Sequence, residues 1–119
     1  ESIPKQVFGI LDHASVPTTI VYPKAKQFAP MAMADDGSMA IRIPKSGFAL
    51  DLVKSFGKPI IATSANLSGE QIPEESSQIS SRILEQVDYV VPLKSVKYPV
   101  TPSRIVKVTS DGEIKTVRP

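Results

Sequence analysis

The chain has no cysteine and only one histidine among its 119 residues. Without cysteine it forms neither disulfides nor thiolate metal sites, and cysteine nucleophiles are excluded; a reducing cytoplasm is compatible with this composition. No apolar stretch approaches the roughly 20 residues of a membrane span, and no basic, apolar signal-peptide pattern follows Glu1. These absences predict a soluble, cytoplasmic protein with no membrane partner.

The sequence also lacks a GxxxxGK[ST] phosphate-binding loop and a convincing catalytic triad. His13 neighbours Asp12 and lies close to Ser15, but triad members approach from separate segments, so this cluster is interpreted as a solvated loop. The acidic pairs at 35–36 and 74–75 have no further ligands nearby, which is typical of turns and helix starts. We therefore expect neither metal ligands nor a catalytic side chain.

Charge is small overall but unevenly distributed. The net charge of +2 is too low to identify a nucleic-acid-binding protein by itself. From Lys94 onward, however, six basic residues stand against two acidic ones, a balance of +4. The C-terminal part is therefore the electropositive end, either as a solvated face or as an anion site. The first residue is glutamate instead of methionine, which suggests a processed or trimmed chain.

Apolar patterning in the first half predicts two strands and a helix. Thr18–Tyr22 is β-branched and aromatic, and Met39–Ile43 alternates before a proline, so both are predicted strands. Residues 48–56 repeat apolar side chains at helical spacing, with Ser46 placed to cap the start and Gly57 to end the helix. The first 15 residues carry no clear pattern.

The second half continues the alternation of strands and helices. The run 59–63 is apolar on both faces, as expected of a central strand, and residues 79–87 predict a helix with an acidic start. Residues 88–93 predict a short strand, and residues 104–109 and 113–117 flank an Asp-Gly dipeptide typical of a tight hairpin. The 119 residues are expected to form one α/β domain with a mixed sheet.

The segment 63–69, TSANLSG, is the most polar stretch placed after a predicted strand. Ligands of open α/β sheets gather at the carboxyl ends of strands, and hydroxyl and amide groups there can bond phosphate or ribose oxygens. The alternative is a polar turn that satisfies its own backbone. Arg42 stands in an otherwise apolar strand, where it pairs with a carboxylate or phosphate ligand or forms a salt bridge to an acid of the domain.

Three segments taken together resemble the YrdC-type L-threonylcarbamoyladenylate synthases. They are AIRIP at 40–44, KPIIATSANLSG at 58–69, and the closing residues 102–103 and 117–119. The resemblance runs from about Val16 to the end of the chain. It implies a YrdC-like twisted mixed β-sheet with flanking helices, of which residues 1–119 would be the C-terminal part, lacking the family's N-terminal portion.

The resemblance also implies an activity. Such enzymes are nucleotidyltransferases that form threonylcarbamoyl-AMP and pyrophosphate from ATP, L-threonine and bicarbonate for the t6A37 modification of tRNA. ATP would be a substrate, with Mg²⁺, and the partners would include tRNA or double-stranded RNA and a downstream threonylcarbamoyl transferase. Because the family's Lys-x-Arg cluster has no counterpart here, the isolated fragment is expected to be inactive.

Mapped by motif, the resemblance assigns seven residues to two substrates. Threonine would be bound by Arg42, the backbone of Ala62 and the hydroxyl of Ser103. ATP would be contacted by Ser38, Ser64 and Arg118, with Asn66 supporting the same loop.

The chain departs from the family pattern at three places: Val16-Pro17-Thr18-Thr19 stands where Pro-Gly-Pro-Leu-Thr is usual, Ile72 where serine is frequent, and Arg104 where threonine or serine is common.

Two other interpretations remain open at this point. The same fold could serve as a non-catalytic nucleotide- or RNA-binding module that uses the basic C-terminal end, and such binding would weaken with salt. It could also be the related domain of hydrogenase-maturation carbamoyltransferases, which lies in larger chains with zinc-finger segments.

Overall fold

The computed structural model describes residues 3–24, 26, 28–92 and 102–119, which divide into two compact units. The sheet unit comprises Glu1–Ile60 and Pro102–Pro119, and the loop unit comprises Ile61–Thr101. The helices and strands are α1 (Lys5–His13), β1 (Thr18–Tyr22), β2 (Met39–Arg42), α2 (Gly47–Phe56), α3 (Ser81–Leu84), β3 (Arg104–Val108) and β4 (Ile114–Arg118), with 3₁₀ turns at Pro30–Ala32 and Ser76–Gln78.

The four strands form one mixed sheet in the order β2-β1-β3-β4. β1 lies inside the sheet, where it pairs antiparallel with β2 and parallel with β3. β3 and β4 form the predicted hairpin, in which Gly112 takes the positive φ of 88° that the turn needs. The predicted α/β class with a mixed sheet is confirmed.

The core lies between α1 and one face of this sheet. Ile20 on β1 and Val106 and Val108 on β3 are at most 2% exposed, and Val7 of α1 packs against them with no exposed surface. Each such side chain contributes about 1.5–3 kcal/mol through burial. Successive side chains of a strand point to opposite faces of the sheet, so Thr19, which precedes Ile20, lies on the face away from α1.

The first 15 residues, for which sequence predicted no element, contain α1. His13 is its last residue, so the predicted loop at that position is wrong, although its side chain is exposed. The end of the helix is bound by Lys45, whose Nζ donates to the carbonyl oxygens of Asp12 at 3.4 Å and Ala14 at 3.0 Å. The last carbonyl groups of a helix have no backbone N–H of the same helix to accept from. A cation is favoured there because it also interacts well with the negative end of the helix dipole.

The predicted helix at 48–56 is confirmed as α2. Gly57 ends it with a φ of 70° and donates its N–H to the carbonyl of Val53 at 3.0 Å. Ser46 occupies the N-cap position, but its side chain makes no capping bond. The apolar stripe of α2 is half exposed, since Phe48, Leu52 and Phe56 are exposed by 44–58%. No helix among the described residues has the length and hydrophobicity to cross a membrane.

Two predicted strands are wrong. Residues 59–63 and 88–92, all of which the structure describes, form no strand, and Leu93 lies outside the described residues. An apolar run becomes a strand only when a neighbour takes up its backbone hydrogen bonds, and the described ladders use β1 to β4 alone. Ile61 and Tyr89 are 69% and 74% exposed, so neither run is a buried central strand.

The predicted helix at 79–87 is shorter than expected. Only Ser81–Leu84 is α-helical, and it follows the 3₁₀ turn Ser76–Gln78. Glu75 and Gln78 cap that turn reciprocally, with the Gln78 side chain accepting the Glu75 N–H at 3.3 Å. The acidic pair thus lies before a capped 3₁₀ turn and not at the start of the predicted helix. The serines after it favour local hydrogen bonds over a long helix.

Candidate functional site

Arg42 ends the edge strand β2 with an exposed side chain. Its register partner on β1 is Thr19, and directly opposed residues of antiparallel strands place their side chains on the same face. Within the described residues, its guanidinium has no hydrogen bond and no ion pair. The fork of donors on Arg42 is therefore available to a ligand on this face.

Thr19 and Ser103 meet on that face although they are 84 residues apart in the chain. Their hydroxyl oxygens, Oγ1 of Thr19 and Oγ of Ser103, lie 2.8 Å apart in a hydrogen bond. The contact follows from the parallel pairing of β1 with β3, since Thr19 is in register with Ile105, two residues beyond Ser103. The long-range strand pairing thus positions a hydroxyl pair beside Arg42.

Arg118 holds Ser103 from the opposite side. Its Nε and Nη2 donate to the Ser103 carbonyl oxygen at 2.9 and 2.6 Å, and Nη2 also lies 3.3 Å from Ser103 Oγ. The register pairs Arg118 with Ile105, which places the arginine next to the start of β3. Arg118 therefore holds the backbone carbonyl of Ser103, and Thr19 and Arg118 both contact its hydroxyl.

Arg42, Thr19, Ser103 and Arg118 form one line across the sheet, which we call the polar row. Neighbouring strands lie about 4.8 Å apart, so β2 and β3 are separated by about 10 Å. An arginine side chain and one small anion can bridge this distance. With two guanidinium groups and two hydroxyls, the polar row has the chemistry of a carboxylate or phosphate site.

A second polar group lies around Ser38, at the other end of strand β2 from Arg42. Ser38 is buried, and its N–H donates to Asp36 Oδ1 at 2.9 Å, while the other carboxylate oxygen of Asp36 lies 3.6 Å from Lys107 Nζ. Hydrogen bonds from Ser38 are the main cause that lowers the pKa of Asp36, and Lys107 adds to the effect. These residues border a cavity of about 320 Å³ that is completed by Pro23, Lys24, Val108, Thr109 and Ser110.

In the loop unit, Asn66 organises the TSANLSG turn. Its Nδ2 donates to the carbonyl oxygens of Leu67 and Glu70, each at 3.1 Å, and Gly69 follows with a φ of 85°. Both donors of the amide are therefore used by the turn itself. The Oδ1 atom, in contrast, is buried and has no hydrogen-bond partner in the described structure. A buried acceptor without a donor is costly, so this atom lacks a favourable hydrogen bond.

The loop unit also contains an apolar cavity of about 350 Å³, lined by Ala65, Ile72, Pro73, Glu75 and Ile79. Ile72 is one of the departures from the family pattern, and here it is part of the wall of this cavity. Among the described residues, no three His, Cys, Asp or Glu side chains are grouped so as to hold a metal ion. Mg²⁺ thus stays a prediction tied to ATP.

Within the sheet unit, the structure brings three of the four predicted site residues to one place. Arg42, Ser103 and Arg118 belong to the polar row, and Ser38 lies at the other end of β2, roughly 13 Å from Arg42 at about 3.3 Å per residue. Ala62, Ser64 and Asn66 belong to the loop unit. The predicted strand before the TSANLSG turn is wrong, so the turn does not sit at a strand end.

Thr19 is absent from the predicted site residues although it lies at the centre of the polar row. A sequence signal for it exists, because Thr19 closes the segment that stands where relatives have Pro-Gly-Pro-Leu-Thr, and the final threonine is shared. The hydrogen bond to Ser103 could not be read from that motif, since it depends on the pairing of β1 with β3.

A family model described as "Telomere recombination", and named for the Sua5, YciO and YrdC proteins, matches residues 1–119. A putative threonylcarbamoyl-AMP synthase of Methanocaldococcus jannaschii is 36% identical over 95 residues, which cover 80% of this chain and 43% of that protein. A threonylcarbamoyl-AMP synthase of Idiomarina loihiensis is 24% identical over 99 residues, covering 83% of this chain and 53% of its own length.

A third relative, the threonylcarbamoyl-AMP synthase of Pseudoalteromonas translucida, is 33% identical over 73 residues, which cover 61% of this chain and 39% of the relative. No solved structure matches the chain significantly. The chain spans about half the length of the curated relatives that it matches.

Proposed function

Because this chain belongs to the Sua5/YciO/YrdC family, we propose that it is part of a threonylcarbamoyl-AMP synthase. The complete enzyme forms threonylcarbamoyl-AMP and pyrophosphate from ATP, L-threonine and bicarbonate, as a nucleotidyltransferase that serves the t6A37 modification of tRNA. A threonylcarbamoyl transferase then consumes the adenylate. The names of the relatives support this proposal, and the polar row gives it a physical basis.

The observation that carries the proposal is the ligand-ready Arg42 beside a fixed serine hydroxyl. A threonine carboxylate can accept two parallel hydrogen bonds from the Arg42 guanidinium, the geometry in which arginine binds carboxylates best. Ser103, held by Thr19 and Arg118, offers a further donor to the same carboxylate. This arrangement anchors the amino acid by its carboxylate and leaves its amine for the reaction.

The chemistry needs little from side chains beyond positioning. The threonine amine adds to carbon dioxide derived from bicarbonate, and loss of a proton gives a carbamate. A carbamate oxygen then attacks the α-phosphorus of ATP, the bond to the β-phosphate oxygen breaks, and pyrophosphate leaves. Holding the reactants in line and neutralising the phosphate charge supply most of the rate enhancement. Mg²⁺ arrives with ATP and shares that neutralisation.

The hydrogen-bonding capacity of Asn66 indicates which part of ATP would bind to the TSANLSG turn. Its free Oδ1 needs a donor, and ATP has donors only in its ribose hydroxyls and its adenine amine, since the triphosphate oxygens accept. Asn66 would thus contact the nucleoside, and the neighbouring hydroxyl of Ser64 would complete that contact.

Pyrophosphate release by the protein at its full natural length tests the activity. We expect release only when ATP, threonine and bicarbonate are all present. Equal release without threonine would contradict the proposal. The basic residues of the β3–β4 hairpin favour a second candidate, a non-catalytic RNA-binding module: no release with all three substrates, together with salt-sensitive RNA binding, would point to it.

Replacing Arg42 with alanine tests the threonine subsite. We expect Arg42→Ala to weaken threonine binding by about 10- to 100-fold, because a charge-assisted hydrogen bond contributes about 1.5–3 kcal/mol. ATP binding should be largely kept. Calorimetry measures both isotherms, and Arg82→Ala, the same change in α3, is the matched control. An unchanged threonine isotherm for Arg42→Ala would remove Arg42 from the site.

A further inference from the structure

We propose that Thr19 and Arg118 are positioning residues that make the Ser103 hydroxyl a hydrogen-bond donor, so that the threonine subsite selects an ionised carboxylate. This inference rests on the proposed function and adds to it. It gives Thr19 a role that the family resemblance does not assign, and it gives Arg118 a role at the threonine subsite.

The argument begins with Arg118, whose guanidinium can only donate hydrogen bonds. Its Nη2 lies 3.3 Å from Ser103 Oγ, so the serine oxygen is the acceptor of that contact. Two bonds from the same guanidinium to the Ser103 carbonyl, at 2.9 and 2.6 Å, prevent the arginine from leaving this position easily. One lone pair of the Ser103 hydroxyl oxygen is therefore used to accept a hydrogen bond from Arg118.

Thr19 accounts for the second lone pair. A hydroxyl has one proton and two lone pairs, and the bond of 2.8 Å between Thr19 Oγ1 and Ser103 Oγ can be donated by either residue. When a carboxylate lies between Arg42 and Ser103, the Ser103 proton goes to the ligand. Thr19 then donates to Ser103, and all the acceptor capacity of the serine is filled.

This pattern determines what the site rejects. A serine with both lone pairs occupied offers only a proton, and Arg42 also offers only protons. A carboxylate accepts from both, whereas the amide nitrogen of threoninamide brings further donors toward groups that cannot accept them. Leaving such donors unpaired is the kind of mismatch that gives strong discrimination. Thr19 and Arg118 therefore contribute to specificity through Ser103, without touching the substrate.

The test measures pyrophosphate release with the full-length protein over a range of threonine concentrations. Thr19→Val keeps the shape and strand propensity of the side chain but removes the hydroxyl, and we expect the KM for threonine to rise roughly fivefold to tenfold, the effect of one lost hydrogen bond. The kcat and the KM for ATP should stay within about twofold of wild type. Thr19→Ser, which keeps the hydroxyl, should restore the KM.

Thr116→Val is the matched control, because Thr116 lies on β4 and its hydroxyl makes no hydrogen bond among the described residues. It should leave all parameters unchanged. Arg118→Lys keeps the charge but loses the fork, so it should raise the KM for threonine. A rise confined to the KM for ATP would mean that Arg118 does not act through Ser103.

The two levels of the proposal fail in different ways. If the wild-type protein releases no threonine-dependent pyrophosphate, the proposed function is wrong. If wild type is active, uses threonine and rejects threoninamide, but Thr19→Val has the wild-type KM for threonine, the positioning role of Thr19 is wrong. If wild type uses threoninamide as well as threonine, the selection of a carboxylate is wrong.

Discussion

The sheet unit and the loop unit both contain β-branched apolar runs, yet only the sheet unit buries them. Ile20 in the sheet unit is 1% exposed, whereas Ile61 in the loop unit is 69% exposed. No described residue of the loop unit is fully buried. The difference lies in partners: β1 has a strand on each side and α1 over one face. Apolar composition therefore specifies a core only where strand pairing and a covering helix are available.

The largest expected effect of this difference is on the free energy of unfolding. Ile20→Ala should lower it by about 2–5 kcal/mol, because it leaves a cavity in the packed core. Ile61→Ala should change it by no more than about 0.5 kcal/mol, as is usual for exposed side chains. Urea denaturation of the two variants measures both values. If both variants lose the same free energy of unfolding, Ile61 is buried as Ile20 is, and the proposed difference between the two units is wrong.

A smaller effect is expected at two glycines with positive φ. Gly57 has a φ of 70° and Gly69 a φ of 85°, and an added Cβ would meet no atom within 4 Å at either position. Alanine at either site therefore adds backbone strain alone, of about 1 kcal/mol. Gly57→Ala should lower the urea midpoint of the sheet unit.

Gly69→Ala should instead act locally, by weakening the turn in which the N–H of Glu70 donates to the Leu67 carbonyl at 3.0 Å. Hydrogen exchange at that amide should quicken while the urea midpoint stays near wild type. If Gly69→Ala shifts the midpoint as much as Gly57→Ala, the two units unfold together.

The smallest expected effect is a pH dependence confined to the sheet unit. Hydrogen bonds from Ser38 hold the pKa of Asp36 below its ordinary value of 3.8. A lowered folded-state pKa stabilises the protein above the unfolded value, and this stabilisation is lost as pH falls through the folded pKa. Asp36→Asn should therefore be less stable than wild type near neutral pH, and the difference should shrink in acid.

Asp35→Asn is the control for this measurement, since the Asp35 side chain makes no hydrogen bond or ion pair among the described residues. Its stability near neutral pH should differ little from that of wild type. If the difference in unfolding free energy between Asp36→Asn and wild type stays constant from neutral to acid pH, the charge of the Asp36 carboxylate does not stabilise the fold.

Local signals made part of the fold predictable. The helix at Gly47–Phe56 is stopped by a glycine, and the hairpin of β3 and β4 is turned by Asp111-Gly112, so each carries its boundary in adjacent residues. The runs 59–63 and 88–92, wrongly predicted as strands, carry equally good local signals but lack a pairing partner in the described sheet. Strand pairing between distant segments is not encoded in a short window.

The site shows the same limit. Motif resemblance named Arg42, Ser103 and Arg118, which the structure brings together at one end of the strands. It assigned Ser103 to threonine and Arg118 to ATP, and these assignments stay predictions; the hydrogen bonds between the two residues were not foreseen. The role of Thr19 depends on the register of β1 against β3, a property of the folded sheet that no spacing in the sequence contains.

The central position of β1 also sets the order of events during synthesis. Its parallel partner β3 begins at Arg104, so the ribosome must synthesise the whole segment between Tyr22 and Arg104 before β1 can form its second ladder. Until then Ile20 has only β2 and α1 as neighbours, and the apolar surface meant for Val106 stays open. Folding of the sheet unit therefore waits for β3, and a nascent chain stalled before β3 would expose an apolar surface for which chaperones and proteases compete.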